Sequence, residues 1–549
     1  MKKVLQIHPG DNVLVALIDL PRDEQIEYEG RTIRLLKPVP AKHKFVIREV
    51  PLGGAIRMYG VLVGEAVSPI AEGEIITPKN TRHASAENYI RRPGYQWHPP
   101  DISRWKDRSF LGFHRSDGRV GTMNYWLFIP TVFCENRNLE SIREALNREL
   151  GYGNSDKYHR ETRGLIDAWK QGKSLDTLDL NQLLEQEETF GSKRIFPHVD
   201  GIKFLSHVGG CGCSYEDSET LGKLLAAYAD HPNVAGVTVL SLGCQHLQTS
   251  ILKKQIRERN PHFDKPLLIF EQQEIGTENR MVGQAILKTF AGLVEVDRQE
   301  RKPAPLSSLC IGVKCGGSDG FSGISANPAV GYTADLLVAL GGSVILAEFP
   351  ELFGAEQDLV DRCTSNELAE KFTRLMQDYQ ARAKAVGSGF EKNPSPGNIR
   401  DGLITDAIKS VGAAKKGGTS PVRGVLDYTE PIRNPGLQLV CTPGNDVEAT
   451  TGQAASGATM ILFTTGLGTP TGNPVSPTIK IATNHSLASR MADIIDLDCG
   501  GIITGEQTIQ QMGEEILEYL IRAASGEIIP KAVAQGQDDF IPWKRGVSL

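Results

Sequence analysis

The chain has 549 residues, which at about 150 residues per domain implies three or four domains and excludes one small binding module. Hydrophobic residues at 40% and charged residues at 23% are globular values that exclude disorder and collagen-like repeats. Lys and Arg total 60 against 66 for Asp and Glu, and a formal charge of −6 is too mild to attract a polyanion, so no nucleic-acid partner is expected.

No run approaches the ~18 apolar residues needed to cross a bilayer, and Met1-Lys2-Lys3 leads directly into a short strand without a signal-peptide apolar region. The expectation is a cytoplasmic protein with no membrane partner. Nine cysteines, an odd number in a long chain, argue against a secreted disulfide framework and for reduced thiols that are buried or metal-bound.

Residues 1–88 read as a small all-β unit: runs such as Asn12-Val-Leu-Val-Ala-Leu, Lys44-Phe-Val-Ile and Met58-Tyr-Gly-Val-Leu-Val are punctuated by Gly30, Pro38, Gly53-Gly54 and Gly73. Residues 89–108, with Arg91-Arg92-Pro93-Gly94 and Trp97-His98-Pro99-Pro100, read as a linker. Beyond it, continuous apolar runs (Tyr125-Trp-Leu-Phe-Ile, Gly236-Val-Thr-Val-Leu, Leu267-Leu-Ile-Phe, Ser343-Val-Ile-Leu) alternate with helical stretches. That pattern predicts a parallel α/β catalytic body over 109–395. A polar stretch at 150–195 reads as a surface insertion, and residues 396–549 as a C-terminal α/β lobe with strands at Gly436 and Thr459. The fold class is thus multidomain α/β with an N-terminal all-β module.

Three Gly-rich loops follow putative strands. The first is His207-Val-Gly-Gly-Cys211-Gly-Cys213, just before a helix, and the second is Ser241-Leu-Gly-Cys244-Gln245-His246. The third runs from Cys315-Gly-Gly-Ser318-Asp319 through Ser322 and Ser325 to Asn327. Glycines allow close backbone approach, helix starts favour thiolates, and the carboxyl ends of parallel strands are where open α/β sheets bind ligands. None of these cysteines forms a C-x-x-C pair, so a closed zinc site is not indicated; an open iron or divalent site, or a cluster with one free position, remains open. The remaining cysteines, Cys134 and Cys213 among them, read as core or surface thiols.

Glu348 ends a strand and is a candidate base, whereas Glu351 reads as a solvated loop residue. Thr442-Pro-Gly-Asn445-Asp446 ends another strand, as a substrate contact or an Asx turn. His43 lies at a strand edge of the N-terminal unit and is a further candidate.

The Cys315–Pro328 stretch, the His207 and Cys244 loops, Asn393-Pro-Ser-Pro-Gly-Asn398 and the terminal Phe540-Ile-Pro-Trp-Lys-Arg-Gly-Val-Ser-Leu resemble the altronate and galactarate dehydratase family. The N-terminal unit resembles its SAF (β-clip) module, with Ala41-Lys-His43-Lys-Phe at the turn. Gln245 stands where many members carry Glu. The resemblance implies dehydration of a small aldonic acid, D-altronate, to 2-dehydro-3-deoxy-D-gluconate in hexuronate catabolism. Ferrous iron, manganese or another divalent metal would assist, with a labile Fe–S cluster ranked behind. It implies His43, His207 and Glu348 in catalysis, Cys211, Cys244 and Cys315 at the metal, and Ser318, Asp319, Ser322, Asn327, Asn445 and Asp446 on substrate. A homo-oligomer is compatible with it. The alternatives are galactarate dehydration, sulfolactate desulfonation, or a non-catalytic metal-dependent sugar-acid sensor.

Overall fold

The computed structural model describes residues 2–84, 89–153, 157–173, 194–390, 393–546 and 548. Short runs broken by turn glycines give the N-terminal module eight brief antiparallel strands. These are β1 (Val4–Leu5), β2 (Val13–Ala16), β3 (Gln25–Tyr28), β4 (Arg31–Arg34), β5 (Lys44–Val46), β6 (Ala55–Met58), β7 (Val61–Ala66) and β8 (Thr81–Arg82). They form the small sheets β1-β2-β5, β3-β4 and β6-β7-β8, closed over Leu14, Ile33, Val39 and Phe45. The 89–108 segment contains no strand or helix. It is fastened to the body: Arg92 pairs with Asp361, and Arg91 Nε donates to the Cys363 carbonyl at 2.7 Å.

After it, β9 (Ser109–His114) pairs with β10 (Val120–Gly121) and, antiparallel, with the later β15 (Lys302–Pro305). Between them lies a parallel sheet of β11 (Tyr125–Pro130), β12 (Gly201–Phe204), β13 (Val234–Ser241) and β14 (Leu267–Glu271), in the order β12-β11-β13-β14. The continuous apolar sequence of β11 and β13 follows from burial of every one of their residues between helical layers.

A second parallel sheet holds β16 (Cys310–Cys315), β17 (Ser343–Leu346), β18 (Val422–Leu426), β19 (Gly436–Val440), β20 (Met460–Thr465), β21 (Thr478–Ala482) and β22 (Leu497–Asp498). Its order is β18-β19-β17-β16-β20-β21-β22. The expected domain edge at residue 396 therefore runs through one sheet, because β16 pairs with β17 on one side and with the much later β20 on the other. The connection from β16 leaves toward β17 and that from β20 toward β21, so the two neighbours form a topological switch point with a crevice at their carboxyl ends. Of the stretch at 150–195, Lys157–Lys170 is a helix, and residues 174–193 lie outside the described residues.

Candidate active site

The carboxyl end of β16 carries Lys314, a cation in an otherwise apolar strand, with its side chain fully buried. Burying an ammonium is tolerated only with anionic partners, and two converge on it. Lys314 Nζ pairs with Glu348 Oε1, which follows β17, and stands 2.8 Å from Asp446 Oδ1, the first residue of the helix after β19. Lys416 Nζ, also fully buried, lies 3.2 Å from Glu348 Oε2 and 3.3 Å from Cys315 Sγ. Lys409 Nζ lies 2.9 Å from Glu351 Oε1, and the Cys315 thiol is 3.6 Å from Glu351 Oε2. The result is a buried chain of three lysines, two glutamates and a thiol, reaching solvent through Asp446, whose side chain is 27% exposed.

Glu348 adopts φ = 69°, a left-handed conformation costly for a side-chain-bearing residue and often found where function fixes a geometry. Burial and the neighbouring Glu351 charge raise its carboxyl above the usual range, against the pull of Lys314 and Lys416. Burial would raise Glu351 too, but the Lys409, Lys314 and Lys416 ammoniums overcome it and hold that carboxyl down at about 2. Two carboxyls one helical turn apart are thus driven in opposite directions, a division of labour suited to acid–base chemistry. Glu351 is buried rather than solvated as expected, because Lys409 neutralises it inside.

Among the described residues, Cys315, Glu348 and Glu351 are the group that brings three ligand-type atoms within 4.8 Å of one another. A divalent cation fits poorly there, since it would compete with three ammoniums already facing those same atoms.

The loop after β16 is occupied differently from expectation. Asp319 is fully buried and bonded to Lys42 Nζ at 3.0 Å, to the Ser322 hydroxyl at 3.0 Å and to the Thr483 hydroxyl at 3.2 Å. Asn327 bridges Thr464 and the Gly412 carbonyl, and the Ser318 carbonyl accepts from Asn398 Nδ2. Asn445 is exposed and caps the 446–456 helix through Oδ1. Ser318, Asp319, Ser322 and Asn327 thus shape the loop, while Asn445 and Asp446 stand at the mouth of the lysine cluster. Against this loop the N-terminal module inserts its 41–44 turn. A Cβ on Gly320 would sit 2.5 Å from the Lys42 carbonyl, so only glycine permits the approach. His43 is half-buried in this turn, with Nδ1 3.2 Å from the Ala41 carbonyl, and burial lowers its pKa.

On the other sheet, the loops after β11, β12 and β13 meet. His207 is buried, its Nε2 2.7 Å from the Pro130 carbonyl and its Nδ1 accepting the Gly209 amide at 3.1 Å, and burial lowers its pKa. Both ring nitrogens are committed to backbone, so His207 fixes the loop and has no nitrogen left for a proton transfer or a metal. Cys211 and Cys244 come to this edge on neighbouring loops, whereas Cys315 belongs to the other sheet.

The sequence reading singled out Glu348 and Asp446, which the structure brings together at Lys314, and did not single out Lys314, Lys409 or Lys416. The available signal was a lysine inside the buried run Cys310-Ile-Gly-Val-Lys314-Cys315; Lys409 and Lys416 carried none, because their burial comes from helices packed from elsewhere.

A parallel α/β body with a buried lysine–carboxylate cluster at its switch point and a docked β module defines a class, and the family comparisons agree with it. The SAF domain of altronate/galactarate dehydratases matches residues 2–84, the second domain of D-galactarate dehydratase/altronate hydrolase matches 112–297, and the C-terminal domain of D-galactarate/altronate dehydratase matches 306–548. The chain belongs to the altronate/galactarate dehydratase family. It is 33% identical to an altronate dehydratase of Bacillus subtilis (strain 168) over 551 residues, covering 100% of each chain. It is 33% identical to an altronate dehydratase of Escherichia coli (strain K12), covering 99% of each. It is 28% identical to the L-threo-forming galactarate dehydratase of that organism, covering 95% of this chain and 93% of the relative.

Proposed function

We propose that the chain is a hydro-lyase that converts D-altronate to 2-dehydro-3-deoxy-D-gluconate in hexuronate catabolism. Full-length similarity to two altronate dehydratases supports the substrate, and the buried Glu348 between Lys314 and Lys416 is the observation that carries the chemistry. The C2 proton beside the substrate carboxylate is weakly acidic. Glu348, with its raised pKa, accepts it near neutral pH, while the Lys314 and Lys416 ammoniums stabilise the enediolate charge that develops. The C3 hydroxyl leaves as water, taking up the proton that Glu348 removed from C2, and the enol relaxes to the 2-oxo acid. Asn445 and Asp446 at the solvent side orient the substrate hydroxyls.

Ferrous iron or another divalent metal belongs to this proposal. The thiols of Cys211 and Cys244 fit it, being free, at least partly exposed and carried on glycine loops, and no ammonium contact competes for them among the described residues. When bound, such an ion supplies Lewis acidity toward a hydroxyl leaving group. The proposal further places the protein in the cytoplasm, as a homo-oligomer acting on a small aldonic acid. Among the described residues no helix is long and apolar enough to cross a membrane.

The test is an anaerobic assay of iron-reconstituted protein against D-altronate and galactarate, following 2-oxo-acid formation. Product from altronate that a chelator abolishes and that Glu348→Gln eliminates is expected. Turnover of galactarate alone, or altronate binding without product, overturns the assignment.

A further inference from the structure

The loops after β11, β12 and β13 bring a third thiol to the edge that holds Cys211 and Cys244. The Phe133 amide donates to the Gly209 carbonyl at 3.1 Å, and the His246 amide donates to the Gly210 carbonyl at 3.0 Å. Three successive strand-end loops are thereby stitched side by side in the sheet order β12-β11-β13. Cys134 directly follows Phe133, Cys211 directly follows Gly210, and Cys244 lies two residues before His246. The contact is built in. Gly210 has φ = 97°, and a Cβ there would lie 2.1 Å from the Thr131 carbonyl, while a Cβ on Gly243 would lie 2.6 Å from Gln273 Oε1. A side chain at Gly210 would push the first two loops apart, and one at Gly243 would displace the Gln273 side chain that follows β14.

All three thiols are free; Cys134 and Cys244 are exposed and Cys211 partly so. This separates them from Cys213, which is buried, bridged to Ser548 through the backbone, and pushed up by desolvation. Helices of 15, 16 and 11 residues begin just after the three loops, at Asn136, Tyr215 and Thr249. Their amino ends place positive potential at this edge, where an anionic assembly of thiolates is favoured.

The sulfurs are not gathered as closely as the shell of one ion requires, since the described trio with ligand atoms within 4.8 Å lies elsewhere. A cubane cluster interposes its own iron and sulfide between the protein sulfurs, so it suits three thiols held further apart. We infer that Cys134, Cys211 and Cys244 hold a 4Fe–4S cluster through three irons, leaving the fourth iron without a protein thiolate. This replaces the single ion of the functional proposal with a cluster on the same two thiols and Cys134, and it rests on that proposal only for the iron's use in dehydration, because cluster binding is read without substrate.

The experiment is anaerobic reconstitution of the full chain with ferrous iron and sulfide. Expected are about four irons and about four acid-labile sulfides per chain, with a visible sulfur-to-iron absorption and, after reduction, an electron paramagnetic resonance signal. Cys134→Ser, Cys211→Ser and Cys244→Ser should each lose most of the iron and sulfide while keeping the wild-type circular dichroism, and Cys310→Ser should retain both. One iron per chain without sulfide, or Cys134→Ser retaining the full complement, overturns the inference. Altronate turnover measured on the same samples separates the two readings: no cluster with intact turnover sinks this one alone, and a complete cluster without turnover of altronate sinks the functional one.

Discussion

Glu348 and its two lysines set the expectations at the scale of single residues. Glu348→Gln keeps the shape and removes the base, so turnover should fall by about 10²–10⁴-fold with little change in KM, measured by steady-state kinetics on D-altronate. Because burial raises the Glu348 carboxyl, the acid limb of the pH–rate profile should lie above that of an ordinary glutamate; a limb near the usual carboxylate range would remove Glu348 as the base. Lys416→Met deletes an ammonium 3.2 Å from that carboxylate, and should shift the limb further up while lowering kcat. Glu348 was legible in the sequence as a carboxylate closing an apolar strand. Its partners were not, since periodicity marks a buried position but not which distant cation neutralises it.

The strand-end loops and the docking turn of the β module decide matters at the scale of elements. Asp319 read as a substrate ligand in a polar Gly-rich loop, and the same polarity serves instead to seat the module through Lys42. Sequence shows that such a loop is polar, not which element satisfies it. Asp319→Ala strips one partner from a buried ion pair and should destabilise by about 3 kcal/mol, with increased proteolysis of the 2–84 module as the readout. Beside it Lys44 is fully buried, donates to the Gly402 carbonyl at 2.7 Å, and is lowered by desolvation to about 7, with Asp319 and Lys42 as its charged neighbours. Above that value the unfolded chain holds a proton that the folded chain has shed, so stability should rise with pH from about 7 toward the ordinary lysine value. Melting temperatures at pH 7 and pH 9 should show that rise in the wild type and lose most of it in Lys44→Met.

The division into a β module followed by parallel α/β layers was readable from runs and turns across the whole molecule. The assembly of one sheet across residue 396 was not, because strand order depends on pairings between segments far apart. The segment from Phe540 onward joins the two layers. Asp217 Oδ1 accepts the amides of Arg545 at 2.8 Å and Gly546 at 3.1 Å, Arg545 Nη2 reaches Asp427 at 2.7 Å, and the Trp543 ring lies 5.0 Å from that of Tyr379. Trp543→Ala should cost about 2 kcal/mol and lower the calorimetric transition by a few degrees. A transition unchanged within error would show that the segment is only draped over the surface.

The strand order of the larger sheet also bears on how the protein reaches this state. β16, its central strand, finds one neighbour some thirty residues on but its other, β20, only about 150 residues later. During synthesis one edge of a buried, mostly apolar strand therefore stays bare while most of the remaining chain is made. Such an edge is a template for wrong pairings, and refolding of the isolated chain should be slow and limited by aggregation at high concentration.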